Sequence, residues 1–293
     1  MPISALLLVL AAAITHAAWN IIAHGSSRSG VPFLWWGSVA SALLWAVAVP
    51  FTGGLGSASA GAFLLGVGVS GALHVLYMLV LQRGYARGEL STVYATARGT
   101  APILTVLVAV ALLGERPGPG ALIGVALVIG GVAAFGIVGR PAPGLRRCGF
   151  DPGLGYGLLT GVAIAAYTVW DAHAVAGMGI APVAFMVGCS VAEIPFFTAM
   201  LRLERRGGAL ARLRDELRRN AVRLLAFGVL SPLAYVLVLT AVTLAPVSLV
   251  APVREVSVVL VGLYGAIRHR ESRPVLRLLA AGIVVAGVLL VAL

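Results

Sequence analysis

Residues 84–117 read GYARGELSTVYATARGTAPILTVLVAVALLGERP, and residues 245–274 read APVSLVAPVREVSVVLVGLYGAIRHRESRP. The first stretch is a polar turn from Gly84 to Glu89, then an apolar helix carrying Arg98, then an exit through Gly114-Glu115-Arg116-Pro117. The second stretch repeats this plan. Placing Glu115 on Glu271, a shift of 156 positions, puts Ala95 on Ala251 and Arg98 on Arg254. An arginine in the middle of an apolar helix costs about 2.5 kcal/mol or more on insertion scales. A duplicated one therefore points to a functional midplane.

Working outward, the chain has 293 residues, of which 60% are hydrophobic and 11% charged. A water-soluble domain carries charge on about a quarter of its residues, so this composition excludes one. The charges are also clustered. None occurs between Ser29 and Gln82, or between Leu224 and Val253, and each run exceeds the ~20 residues that cross a bilayer as helix. The basic balance of +11 is all arginine. Because the arginines sit at helix ends and between spans, they indicate a membrane partner and not a nucleic acid. Cys148 and Cys189 are too few for a disulfide framework. Residues 3–18 lack the basic flank of a signal peptide and read as a first span.

Ten spans are expected, at about 3–24, 33–51, 60–82, 90–113, 119–138, 153–175, 181–201, 224–243, 246–267 and 275–293. The short alternating segments of a membrane barrel are absent, which leaves helices. The fold class is thus an all-α integral membrane protein, ten transmembrane helices arranged as two inverted five-helix repeats. Residues 1–139 form the first repeat, 140–152 a Pro/Gly/Arg linker and 153–293 the second. Ala18-Trp-Asn20 in span 1 meets Val169-Trp-Asp171 in span 6. Five helices per repeat is odd, so the halves lie in opposite orientations, as in many secondary transporters. Loops of odd rank hold eighteen arginines and loops of even rank hold Arg116 alone. The arginine excess marks the cytoplasm, which places both termini outside a plasma membrane. In the loop before span 8, Leu210, Leu213 and Leu217 share one helical face among arginines. That pattern predicts a short interfacial helix on anionic lipid.

The assembled motifs resemble the EamA family of the drug/metabolite transporter superfamily over nearly the whole chain. The carriers are His16-Ala-Ala-Trp-Asn20, Gln82-Arg-Gly-Tyr85, Glu89-Leu-Ser91, Ala97-Arg-Gly-Thr-Ala-Pro102, Leu113-Gly-Glu-Arg116 and Ala165-Ala-Tyr-Thr-Val-Trp-Asp171. The resemblance implies ten helices in inverted repeats, alternating access and movement of small metabolites, often as export. It also implies cytoplasmic termini, against which the charge count is followed here. Proton exchange on a first-helix glutamate, as in small multidrug relatives, does not carry over, because span 1 has no acid.

Arg98 and Arg254 are the first candidates for substrate binding or gating, since a guanidinium fork suits carboxylate or phosphate. The alternatives are internal pairing, Arg254 with Glu255, Glu193 or Asp171, or snorkelling of Arg98. Asp171, Glu193 and Glu255 are the intramembrane acids, read as ion-coupling groups or charge partners, with Asp171 near enough to a helix end to be wet. His16, Asn20, His74, Tyr94 and Trp170 complete the candidate substrate or gating set. Tyr77, Tyr167 and Tyr235 are further aromatic candidates for a cavity wall, whereas Trp19 reads as an interfacial anchor. His16 and His74 are too isolated for a metal site, and no cofactor is expected. Neither a Walker loop nor a G-x-S-x-G elbow occurs, so the chain reads as no enzyme. The expected function is a secondary transporter, working as an exporter, of small polar metabolites bearing carboxylate or phosphate. The alternatives are a cation or drug-like amine/proton antiporter and a non-transporting membrane scaffold. A homodimer is left open.

Overall fold

A computed structural model describes residues 1–23, 30–88, 90–138, 152–204, 208–269 and 274–293. Its regular elements are helices: α1 (Ile3–Ala23), α2 (Val31–Ala46), α3 (Ala60–Arg87), α4 (Leu90–Leu112), α5 (Pro119–Val138), α6 (Pro152–Ala172), α7 (Pro182–Leu203), α8 (Ala209–Val242), α9 (Val247–Arg254), α10 (Val256–His269) and α11 (Pro274–Ala292). Apolar runs take this form because a helix satisfies its own backbone in lipid. Prolines sit in the first turn of α2 and α7, where no amide partner is lost. Ser59 caps α3 by accepting from the Ala62 amide at 3.2 Å. Six of the helices are long and apolar enough to cross a membrane, and shorter apolar helices cover 31–46, 119–134 and 278–292. Leu64 and Leu107 stand more than half exposed on helix surfaces, as a lipid solvent allows. The chain is a multi-pass membrane protein.

Each of the ten expected stretches falls on helix, with two corrections. Span 9 is not continuous. It is α9 and α10 end to end, broken at Glu255 (φ −68°, ψ −8°). Pro252, inside α9, has no amide to give to the carbonyl four residues back, and the Glu255 amide instead turns to Pro252 O at 3.0 Å. The helix before span 8 is not separate either. It runs into α8 through one non-helical residue, Asn220 (φ −125°, ψ 19°). The expected linker lies almost entirely outside the described residues.

The principal packing pairs are α5 with α11, α4 with α6, α1 with α8, α3 with α6, α2 with α8 and α2 with α7. α5 packs closely on α11. A Cβ on Gly124 would lie 2.8 Å from the Gly287 carbonyl oxygen, and one on Gly287 would lie 2.7 Å from that of Gly124. Neither position has room for a side chain, which is how small residues let membrane helices meet.

The even-ranked loops are fastened at one end of the bundle. Gly56 pairs with Ile180 in an isolated β-bridge, and the Ser57 amide donates to Gly179 O at 3.0 Å. Nearby, Glu115 accepts from the amides of Val247 (2.8 Å) and Ser248 (2.9 Å), the first two residues of α9. Both of those residues are buried. The carboxylate therefore caps amides that would otherwise have no partner, and its negative charge suits a helix N-terminus.

Candidate functional site

A cavity of about 220 Å³ lies among α1, α2, α3, α4, α6, α7, α8 and α9, so both halves of the chain contribute to it. α5, α10 and α11 do not reach it. Its wall carries Arg98, Arg254, His16, His74, Glu193, four serines (Ser38, Ser41, Ser190, Ser231) and the rings of Trp19, Tyr77, Tyr167, Phe197, Phe227 and Tyr235. Most of these residues lie between the middle of their helices and the ends that lead to the odd-ranked loops.

The break in span 9 places two charges at this depth. Arg254 ends α9, where the helix dipole is negative, and Glu255 precedes α10, where it is positive. Yet the two do not pair with each other. Glu255 reaches α4 instead: Arg98 Nη1 lies 3.2 Å from its Oε1 and 3.5 Å from its Oε2. Their side chains are 16% and 7% exposed, which makes this a buried ion pair. Arg98 Nη2 lies 3.5 Å from Nε2 of His16, and its guanidinium sits 5.5 Å from the ring centre of Tyr94. Arg98 thus does not snorkel.

Arg254 differs. Among the described residues it has no hydrogen bond and no carboxylate within 4.0 Å. Its guanidinium lies 6.0 Å from the centre of the Tyr235 ring. The expected pairing of Arg254 with Glu255, Glu193 or Asp171 is corrected by this arrangement. The partner of Glu255 is the other arginine, 157 positions away.

A second polar set lies on the far wall. Asp171 is 1% exposed, which corrects its reading as a wet residue. The helix does not end there, because a π-helical turn continues it over His173–Gly177. Tyr235 Oη donates to Asp171 Oδ2. His74 Nε2 is 4.0 Å from the same oxygen, while Asp171 Oδ1 is buried without a partner. His74 Nδ1 is 3.0 Å from the Ser70 carbonyl oxygen, and its ring stacks on Tyr167 with centroids 4.2 Å apart. His74 Nδ1 also lies 3.2 Å from Ser70 Oγ. Glu193 accepts from Ser38 Oγ at 2.8 Å, and Cys189 Sγ donates to Ser70 Oγ at 3.3 Å.

Three expected members stand back from the cavity. Tyr94 holds Arg98 from behind. Asn20 turns its amide to His16 O at 2.8 Å. Trp170 donates to Gly66 O at 2.9 Å and faces an apolar cleft between α3, α4 and α6. Conversely, Trp19 and Phe227, whose rings meet edge to face at 5.1 Å, belong to the wall. Ser38 and Ser41 carried no signal in an otherwise apolar run. Among the described residues, no group of three His, Cys, Asp or Glu is placed to hold a metal.

Residues 151–293 match the model of the EamA-like transporter family. A crystal structure of a protein 17% identical in sequence superposes with a TM-score of 0.72, covering 99% of this chain and 96% of its own, a likeness of fold. No curated protein matches the chain.

Proposed function

We propose, for a chain that belongs through residues 151–293 to the EamA-like transporter family, that it is a secondary transporter of small polar metabolites carrying a carboxylate or phosphate. The observation that carries the reading is Arg254, a cavity-lining arginine without a carboxylate partner among the described residues. A half-buried cation without a counter-ion is costly, and an anionic cargo would complete its coordination. Arg98, neutralised by Glu255, serves as a fixed support and gate. The broken helix at the midplane is the design in which transporters expose helix termini to cargo.

Alternating access by two inverted repeats, 1–139 and 153–293, fits the packing. Exchanging the halves maps α1–α8 onto α6–α3, and α4–α6 onto α9 and α10 with α1, all of them contacts that exist. The fastened even end and the cavity leaning towards the odd end support a state open on one side only. With odd loops in the cytoplasm this is the inward-open state of an exporter in the plasma membrane, termini outside. Labelling checks the sidedness. In a chain with both cysteines replaced, Phe51→Cys is expected to react with an impermeant maleimide on intact cells and Leu210→Cys is not; the reverse pattern would invert the orientation.

The test of the cargo class is thermal melting of the purified protein with small carboxylates, phosphates and amines. A ligand that binds only the folded state raises the melting temperature by mass action. An anionic compound is expected to stabilise the parent protein, and Arg254→Ala is expected to lose at least about tenfold in apparent affinity. The variant itself should melt close to the parent, since no ion pair is broken. Stabilisation by amines, lost in Glu193→Gln, would favour the second reading of a cation or amine antiporter, for which the supporting observation is Glu193, with Ser38 as its one hydrogen-bond partner among the described residues. A scaffold would be stabilised by neither class.

A further inference from the structure

We propose that the exposed strip on the first half of α8, built by Leu210, Arg214, Leu217 and Arg218, is a docking surface for anionic phospholipid. The inner face of this segment is already occupied. Leu213 packs with Val31, Phe197 and Leu201, and its carbonyl accepts from Trp36 Nε1 at 2.9 Å. Glu216 is 7% exposed and accepts from Asn220 Nδ2 at 2.8 Å. Arg212 pairs with Glu204 at 2.7 Å, which ties the segment to the end of α7. Leu213 therefore does not share the lipid-facing side expected for it.

What remains outward is a strip at spacing 210, 214, 217, 218, one face of a helix. Leu210 is 80% and Leu217 40% exposed. Arg214 and Arg218 are exposed between them, with no ion pair or hydrogen bond among the described residues. Asp215 is the one exposed acid in residues 209–223, because Glu216 faces inward. Leucines and guanidinium groups sharing one exposed face is a pattern that water does not favour. It suits the boundary of a bilayer, where leucine side chains enter the acyl layer and guanidinium groups meet phosphates. Charge complementarity selects the occupant as a phospholipid of net negative charge. The same helix, past its bend at Asn220, carries Ser231 and Tyr235 into the cavity. Lipid bound to the strip would thus act on a cavity helix.

The test is thermal melting of the full chain in neutral detergent, with Arg254→Ala as the parent so that the cavity holds no anion, titrated with phosphatidylglycerol, phosphatidylcholine or inorganic phosphate. Phosphatidylglycerol is expected to raise the melting temperature, and the other two are expected to leave it unchanged. Each arginine near an anionic surface is worth roughly a fivefold change in binding, so R214Q/R218Q should need about 25-fold more phosphatidylglycerol for half the effect. R116Q, at the opposite end of the bundle, should titrate as the parent does. Raising the salt to about 1 M should weaken the parent's response, because these charges are exposed. This salt arm tests the inference even if the double variant does not fold. Equal stabilisation by phosphatidylcholine, a response to inorganic phosphate, a double variant that titrates like the parent, or a salt-insensitive response would each overturn the proposal.

Discussion

Glu255→Ala is expected to be the most destabilising single charge removal in the described bundle. It leaves Arg98 buried in α4 with His16 at 3.5 Å and the Tyr94 ring as its remaining neighbours. Breaking one side of a buried ion pair typically costs about 3–5 kcal/mol, because the surviving charge stays desolvated. For a chain of this size that amounts to a fall of about 5–8 °C in melting temperature. The double variant Arg98→Ala/Glu255→Ala should recover much of the loss, since it removes both charges together. Arg254→Ala supplies the contrast, an arginine of the same repeat position whose loss breaks no ion pair. Melting of the four proteins in one detergent decides the matter. If Glu255→Ala melts with the parent, or if the double variant is no better than the single one, the pair does not hold α4 to the broken helix.

The spans were legible in the sequence because hydrophobic runs without charge admit only one structure in lipid. The two arginines were legible as a pair of positions for a related reason, since a charge at that depth is rare. Which arginine would be neutralised was not. Arg98 and Glu255 are 157 residues apart, and the neighbouring Arg254–Glu255 pair is the one that local spacing suggests. The helix break that turns these two side chains apart had a signal in Pro252, overlooked because the apolar run continues through it. Glu115 stood out as a repeated residue, but its role as the cap of α9 depends on a contact spanning 132 positions. The face of α8 was half legible. Periodicity puts Leu210, Leu213 and Leu217 on one broad side, and only the packing of α2 and α7 decides that Leu213 turns inward. Asp171 was misjudged because the apolar run appears to stop near it, whereas a π-helical turn carries the helix on.

Asp171→Asn is expected to abolish proton-driven accumulation of cargo while sparing passive exchange, if the coupling proton is carried on the Asp171–His74 pair. The two buried carboxylates differ in how their charge is met. Glu255 has a fixed cation in Arg98. Asp171 has a tyrosine hydroxyl, a histidine at 4.0 Å and an oxygen with no partner. Among the described residues, the one cationic partner that Asp171 has within 4.0 Å is His74. Nε2 of His74 is the ring nitrogen that faces Asp171. His74 and Tyr235 both line the cavity while Asp171 is sealed behind them. A proton exchanged with this pair would have to pass through the cavity. The measurement uses proteoliposomes and whichever anion the melting screen identifies. Counterflow should persist in the D171N protein, and accumulation driven by a pH gradient should fall to the level of empty liposomes. Accumulation that survives the substitution would move coupling to Glu193, whose only hydrogen-bond partner among the described residues is Ser38. Loss of counterflow together with accumulation would make Asp171 a positioning group for the Tyr235 wall instead.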